Sequence, residues 1–160
     1  GKMILAEPDA LLTAASKMPG LDGQKMSKSY NNTIALREDP DTVAKKIRTM
    51  PTDPARVRRT DPGNPARCPV WQFHQVYSDD GVRAWVTAGC TRADIGCIEC
   101  KQPVIDAVQA ELAPIRERAR HFEDNPDLVR DILADGCDKA RKLARDTMRD
   151  VRESMGLTFG

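Results

Sequence analysis

Proline and glycine are spread unevenly along this chain, and that unevenness constrains its fold more than any other feature. Pro8, Pro19–Gly20, Gly23, Pro40, Pro51, Pro54, Pro62–Gly63, Pro65 and Pro69 punctuate the first part, whereas the chain beyond Gly96 runs more smoothly. Proline removes a backbone donor and glycine adds freedom that folding must take away, so long regular elements are confined to the second part. Aromatic residues make up only 4% of the sequence, thin for a β-rich core or a base-stacking platform. Helices built on Ala, Leu, Val and Met are favoured instead, and no run reads as a strand. With 160 residues the chain suffices for one domain, or one and a half.

Ala140, Leu143, Ala144, Thr147, Met148, Val151 and Met155 recur at three- and four-residue steps, with Lys139, Arg141, Lys142, Arg145, Arg149, Asp150 and Arg152 between them. The spacing predicts an amphipathic helix that stops at Gly156. Pro103 to Phe122 predicts another, with Pro103 in its first turn and a kink or break at Pro114. Asn125–Pro126 reads as a cap and first residue of a short helix through Leu128, Val129, Ile132 and Leu133. Asp39–Pro40 repeats that signal ahead of Val43, Ala44, Ile47 and Met50.

Net charge is +1, from 25 Lys+Arg against 24 Asp+Glu, so any nucleic-acid contact must rest on local patches. No apolar stretch approaches the ~20 residues of a membrane span, and no charged-then-apolar leader opens the chain. A cytoplasmic protein without a membrane partner is expected.

Residues 20–34 read as a loop in which Gly20 and Gly23 permit unusual backbone angles and Lys25 and Lys28 flank small hydroxyl residues. Such a loop can present two mobile ammonium groups and several N–H donors to a polyphosphate. Composition alone also fits a solvated loop. The string Lys25-Met26-Ser27-Lys28-Ser29, however, matches every position of the KMSKS signature and resembles class I aminoacyl-tRNA synthetases. Its neighbours Pro19-Gly20-Leu21-Asp22-Gly23-Gln24 and Asn32-Thr33-Ile34 resemble the bacterial tryptophanyl members. So do Thr52-Asp53-Pro54, Asp61-Pro62-Gly63-Asn64-Pro65 and Gly96-Cys97 to Cys100-Lys101, so the resemblance spans about residues 4–157.

By that resemblance, Lys25 and Lys28 bind ATP phosphates and stabilise the leaving pyrophosphate, as catalytic residues. Met26, Ser27, Ser29 and the local backbone hold the loop around the nucleotide, and Met18 packs against adenine. ATP with Mg2+, tryptophan and the tRNA for tryptophan are the implied substrates and partners, and the intact enzyme is a homodimer. The family's other active-site half carries an HIGH-type motif on a Rossmann sheet. Here His74 and His121 head no such motif, and no strand–helix alternation is present. The chain is therefore expected to be a C-terminal portion, inactive alone. Its fold class is expected to be mainly α: residues 1–38 as the last segment of a Rossmann-type catalytic domain, residues 39–160 as a bundle-like helical tRNA- and anticodon-binding domain.

Cys68, Cys90, Cys97 and Cys100 are spaced C-x21-C-x6-C-x2-C. The Cys97–Cys100 pair is a chelating hook, four thiolates suit an Fe–S cluster, and small buried cysteines are the alternative. Some tryptophanyl synthetases bind a [4Fe-4S] cluster through C-x22-C-x6-C-x2-C. The resemblance therefore implies that cluster here, with zinc second and Cys68 the ligand out of register. Cys137 is read as a small buried residue.

Among the basic residues, Arg56, Arg58 and Arg59 are expected to position tRNA phosphates, and Arg92 and Lys101 to face the anticodon. Lys45, Lys46, Arg48, Arg67 and Arg83 read as ordinary solvated charge. His74 reads as a hydrogen-bonded helix residue, and Trp71 and Trp85 as core. A tyrosyl-type synthetase and a non-catalytic metal-bound helical RNA-binding module are the alternative functions.

Overall fold

The computed structural model describes residues 3–13 and 16–157, so the outermost ends of both expected domains lie outside the described residues. The fold is mainly α. Among the described residues five α-helices follow in order: α1 (Pro40–Thr49), α2 (Pro69–Tyr77), α3 (Asp80–Thr91), α4 (Cys97–Glu123) and α5 (Pro126–Ser154). Among the described residues there is no strand, only an isolated antiparallel bridge between Pro19 and Lys25. The chain divides into two compact units, Leu12–Arg118, and Gly1–Leu11 with Ala119–Gly160. The boundary expected between residues 38 and 39 falls inside the first of these.

In the Leu12–Arg118 unit the core is the meeting of three helix faces. Val43, Ala44, Ile47 and Met50 come from α1 and its C-cap, Val70 and Phe73 from α2, and Val104, Ile105, Val108 and Leu112 from α4. Phe73, Ile47 and Ile105 are among the largest fully buried side chains, each contributing roughly 1.5–3 kcal/mol relative to exposure. Met18, Leu21, Met26 and Ile34 pack against the same core, which anchors the long N-terminal loop to the helices.

Helix α1 begins as its sequence requires. Asp39 accepts the Thr42 N–H through its side chain, Pro40 fills the first turn, and Asp41 favours the positive end of the dipole. Helix α4 differs from expectation: it starts at Cys97, six residues before Pro103, and continues through Pro114. Each proline deletes one helical hydrogen bond, but the buried stripe Val104, Ile105, Val108 and Leu112 holds the helix together.

The second unit contains one helix where two were expected. α5 runs unbroken from Pro126 through Gly136 to Ser154, because a single helical glycine costs only about 1 kcal/mol. Asn125 stands at its N-cap but donates instead to the His121 carbonyl at 2.7 Å, closing the helix before it. The expected stop is present: Gly156 has φ +69°, and the Gly156 and Leu157 N–H groups return to Glu153 and Arg152 carbonyls. α5 buries none of its residues, so Cys137 is exposed and not the buried residue expected. Trp85, expected in the core, is 40% exposed because α3 turns Val86 and Gly89 inward instead; Trp71 is half-buried.

Candidate functional site

The loop is built from a tight hairpin and a short helical turn. Met26 N–H donates to the Met18 carbonyl at 3.2 Å, and Gly20 N–H to the Gln24 carbonyl at 2.5 Å. Gly23 reverses the chain with φ +81°, and a Cβ there would sit 2.8 Å from Pro69 Cγ at the start of α2. Glycine is needed at that position for both reasons. Lys28–Tyr30 form a 3-10 turn whose N-cap is Ser27: its hydroxyl accepts the Ser29 N–H at 3.3 Å. Asn31 closes the turn in the left-handed region at φ 52°.

This arrangement separates buried supports from exposed cations. Lys25, Lys28 and Ser29 are exposed, Ser27 and Met26 half-buried, and Met26 and Met18 lean on the core. An open groove of about 840 Å3 runs beside Lys28, lined also by Met26, Ile34, Leu36 and Ile115. Asp22 accepts from Asn32 Nδ2 and Gln24 N–H. The Asn32 hydrogen bond, chiefly, holds its carboxyl below the usual range, so it stays ionised.

Cys68, Cys90, Cys97 and Cys100 all line one narrow cavity of about 20 Å3, together with Asp53, Arg56 and Lys101. The elements explain the convergence: Cys68 is the N-cap of α2, Cys90 lies in the last turn of α3, and Cys97 and Cys100 share the first turn of α4. Burial pushes the Cys68 thiol up. Burial, then the proximity of the other three sulfurs, pushes Cys100 up to about 12. Arg56 Nη1 lies 3.8 Å from Cys90 Sγ, and Arg56 Nε is a buried donor with no partner among the described residues. Gly63 closes in on both, since a Cβ there would fall 2.6 Å from Cys90 Sγ and 3.1 Å from Arg56 Cδ.

The donor set is that of a four-thiolate centre. Yet no group of three or more His, Cys, Asp or Glu side chains among the described residues is arranged to hold a metal ion. The sulfurs share a wall, and a bulky centre requires that wall to part.

His74 is fully buried and hydrogen-bonded as expected: Nε2–H donates to the Cys100 carbonyl at 3.1 Å, and Nδ1 pairs with the Ser78 hydroxyl at 2.8 Å. Burial pushes its imidazole below the ordinary 6.5, so it is neutral. Two of the cations expected to meet tRNA are internal. Arg56 is 8% exposed and donates to the Arg59 and Ile95 carbonyls, while Lys101 is 3% exposed and donates to the Arg48 and Met50 carbonyls. Arg67 pairs with buried Asp53 at 2.9 Å, and Lys46 pairs with Glu38. Burial pushes the Asp53 carboxyl up, but the Asn64 and Ala55 N–H groups and Arg67 outweigh it.

Arg58, Arg59 and Arg92 remain exposed. Arg58 and Arg59 border an open groove of about 660 Å3 with Val57 and Ile98, at the start of α4. Asn32 and Asp53 stand in stretches that carry the family resemblance, but their burial in loops has no periodic signal.

The glycine hairpin leaves Lys25 and Lys28 exposed and is joined to the helical unit by Met18, Leu21, Met26 and Ile34. Residues 1–113 match the family described as tRNA synthetases class I (W and Y), and the chain belongs to that family. Within it, the chain is 66% identical over 158 residues to the tryptophan–tRNA ligase of Ralstonia nicotianae, covering 99% of this chain and 40% of that protein. It is 45% identical over 157 residues to the tryptophan–tRNA ligase of Thermotoga maritima, covering 98% and 48%. The crystal structure of tryptophanyl-tRNA synthetase from Campylobacter jejuni, complexed with ADP and tryptophan, superposes with a TM-score of 0.74 at 28% identity. That match covers 96% of this chain and 48% of the other. The chain thus spans between 40% and 48% of the length of these relatives. No helix among the described residues is long and apolar enough to cross a membrane.

Proposed function

We propose that this chain forms the KMSKS-bearing and helical, C-terminal part of a tryptophan–tRNA ligase. The single observation that carries the reading is the loop itself: exposed Lys25 and Lys28 held by a capped turn and a glycine hairpin. In the reaction, a tryptophan carboxylate oxygen attacks the α-phosphorus of Mg2+-bound ATP, and the bond from that phosphorus to the pyrophosphate oxygen breaks. Lys25 and Lys28 bind the β- and γ-phosphates and neutralise the charge that gathers on the leaving pyrophosphate. Ser27 and Ser29 preserve the turn that aims them, and Met18 packs against adenine. A terminal hydroxyl of the tRNA then attacks the adenylate's carbonyl carbon, taking the tryptophanyl group as the bond to phosphate breaks and AMP leaves.

Residues 1–38 act as the nucleotide-gripping edge of the catalytic domain and residues 39–160 as the tRNA-facing part. Exposed Arg58, Arg59 and Arg92 supply the phosphate contacts there. The working enzyme is a cytoplasmic homodimer. The four cysteines are its metal ligands, [4Fe-4S] before zinc, a reading supported by four sulfurs on one cavity with Arg56 and Lys101 beside them. Anaerobically purified protein is then brown with equal iron and sulfide. Colourless protein with stoichiometric zinc decides for zinc, and metal-free protein refutes the site.

Tryptophan-dependent exchange of pyrophosphate into ATP tests the function. The synthetase carrying this sequence is expected to exchange, and Lys28→Ala to lower its kcat about 100-fold. The 160-residue chain alone, which carries no HIGH-type motif, is expected to be inactive. Exchange that survives Lys25→Ala with Lys28→Ala refutes the assignment, and exchange with tyrosine in place of tryptophan refutes the specificity.

A further inference from the structure

Asn32 is only 3% exposed, in a loop otherwise largely open to solvent. Its side chain reaches both limbs of that loop. Oδ1 accepts the Ser27 N–H at 2.7 Å, while Nδ2 donates to Asp22 Oδ1 at 2.7 Å and to the Lys25 carbonyl at 3.2 Å. Its own carbonyl takes the Leu21 N–H at 2.8 Å. Gly20 completes the fit, because a Cβ there would lie 2.1 Å from Asn32 Nδ2 and 2.3 Å from Cγ. No side chain is accommodated at position 20 while Asn32 keeps its place. One buried amide therefore ties the limb before the lysines to the lysine segment itself.

The connection extends to both cations. The Lys25 carbonyl is a direct partner of Asn32. Lys28 opens the turn that Ser27 caps, and the Ser27 N–H is held by Asn32 as well. A buried amide that loses one partner pays the full desolvation of what is left, which favours one loop geometry over a range of them. Positioning of this kind matters for catalysis, since misplacement of a group by about 1 Å can cost 100-fold.

We propose that Asn32 is a positioning residue for adenylate formation: with Asp22 as its partner, it locks the loop so that Lys25 and Lys28 address the same polyphosphate, without touching the nucleotide itself. The proposal rests on the reading of the loop as the ATP-phosphate grip. Asn32→Ala in the synthetase carrying this sequence is expected to lower kcat/KM for ATP in pyrophosphate exchange about 10- to 100-fold. The KM for tryptophan stays within about twofold, which separates positioning of the phosphate grip from a general loss of structure.

Asn32→Asp keeps the acceptor for Ser27 N–H but sets a carboxylate against Asp22, and is expected to fail similarly. Adding Asp22→Asn removes the repulsion between carboxylates, while the Gln24 N–H and the Lys25 carbonyl lose their partners. It is expected to recover part of the loss, about threefold. Unchanged kcat/KM for ATP in Asn32→Ala, a KM for tryptophan raised as much as that for ATP, or a double variant no better than Asn32→Asp overturns the proposal. If the unsubstituted synthetase shows no exchange, the functional reading itself fails. The clamp is then judged by amide hydrogen exchange at Ser27 in the chain, which Asn32→Ala is expected to accelerate at least about tenfold. Unaltered exchange at Ser27 refutes the clamp on its own.

Discussion

Replacing Lys101 by methionine keeps the length of the side chain and deletes the ammonium that closes the C-terminal end of α1. Lys101 Nζ donates to the Arg48 carbonyl at 2.7 Å and the Met50 carbonyl at 2.6 Å, in a residue 3% exposed. Hydrogen bonds from a charged donor contribute about 1.5–3 kcal/mol each, and the favourable pairing with the helix dipole is lost as well. Against that, methionine no longer requires an ammonium to be desolvated, which costs several kcal/mol in a protein interior. The two carbonyls remain and lose their partner, so a net loss of about 2 kcal/mol is expected. In a chain of this size that lowers Tm by about 4–8 °C.

Helical circular dichroism during heating, with urea unfolding alongside, measures it. Burial holds the Lys101 pKa below its ordinary 10.5, so the unfolded chain binds this proton more tightly than the native one. Stability therefore rises with pH between the native pKa and 10.5, and the gap between parent and Lys101→Met widens there. A variant that melts with the parent but binds tRNA more weakly refutes the internal role and restores the anticodon-facing one.

Two further outcomes follow from the buried groups. In metal-free folded chain at pH 8, iodoacetamide is expected to label exposed Cys137 first and Cys100 last, by peptide mass spectrometry. A thiol pushed up to about 12 carries little thiolate at that pH, and equal labelling of the two counts against the cavity. His74 is held neutral with a pKa below its ordinary 6.5, so the unfolded state takes up the proton first as pH falls. Stability is then lost on acidifying from about 6.5 down to the native pKa, by up to about 1.4 kcal/mol per pH unit, and recovered above it. Urea midpoints from pH 8 to 5 should show that slope, and His74→Gln should remove it.

Local signals were legible where one short stretch of chain decides the outcome. Asp39–Pro40 announced α1, Gly156 announced the end of α5, and His74 took the hydrogen bonds a helix histidine takes. Continuity was not legible, because it is settled by packing at a distance. Pro103 and Pro114 sit inside α4 since the helix gains more from burying Val104, Ile105, Val108 and Leu112 than it loses at two missing donors. Asn32 carried part of the family resemblance, but nothing in its neighbours pointed to its burial. Only the folded hairpin shows that its amide faces Asp22, Lys25 and Ser27 together. The four cysteines line one cavity, but their spacing carries no information on how closely the sulfurs converge.

Arg56 and Lys101 are spent inside the protein, and in a chain of net charge +1 that leaves fewer cations at the surface. The segment between α1 and α2 carries Pro51, Pro54, Pro62 and Pro65, none of which offers a backbone N–H. Arg56 and Lys101 supply the missing donors to Arg59, Ile95, Arg48 and Met50, and Arg67 answers the carboxylate of buried Asp53. A cation spent on a buried carbonyl cannot neutralise a phosphate. Under the proposed tRNA-facing role, Arg58, Arg59 and Arg92 are the three of the five expected cations that stay exposed, so recognition rests on where those side chains stand.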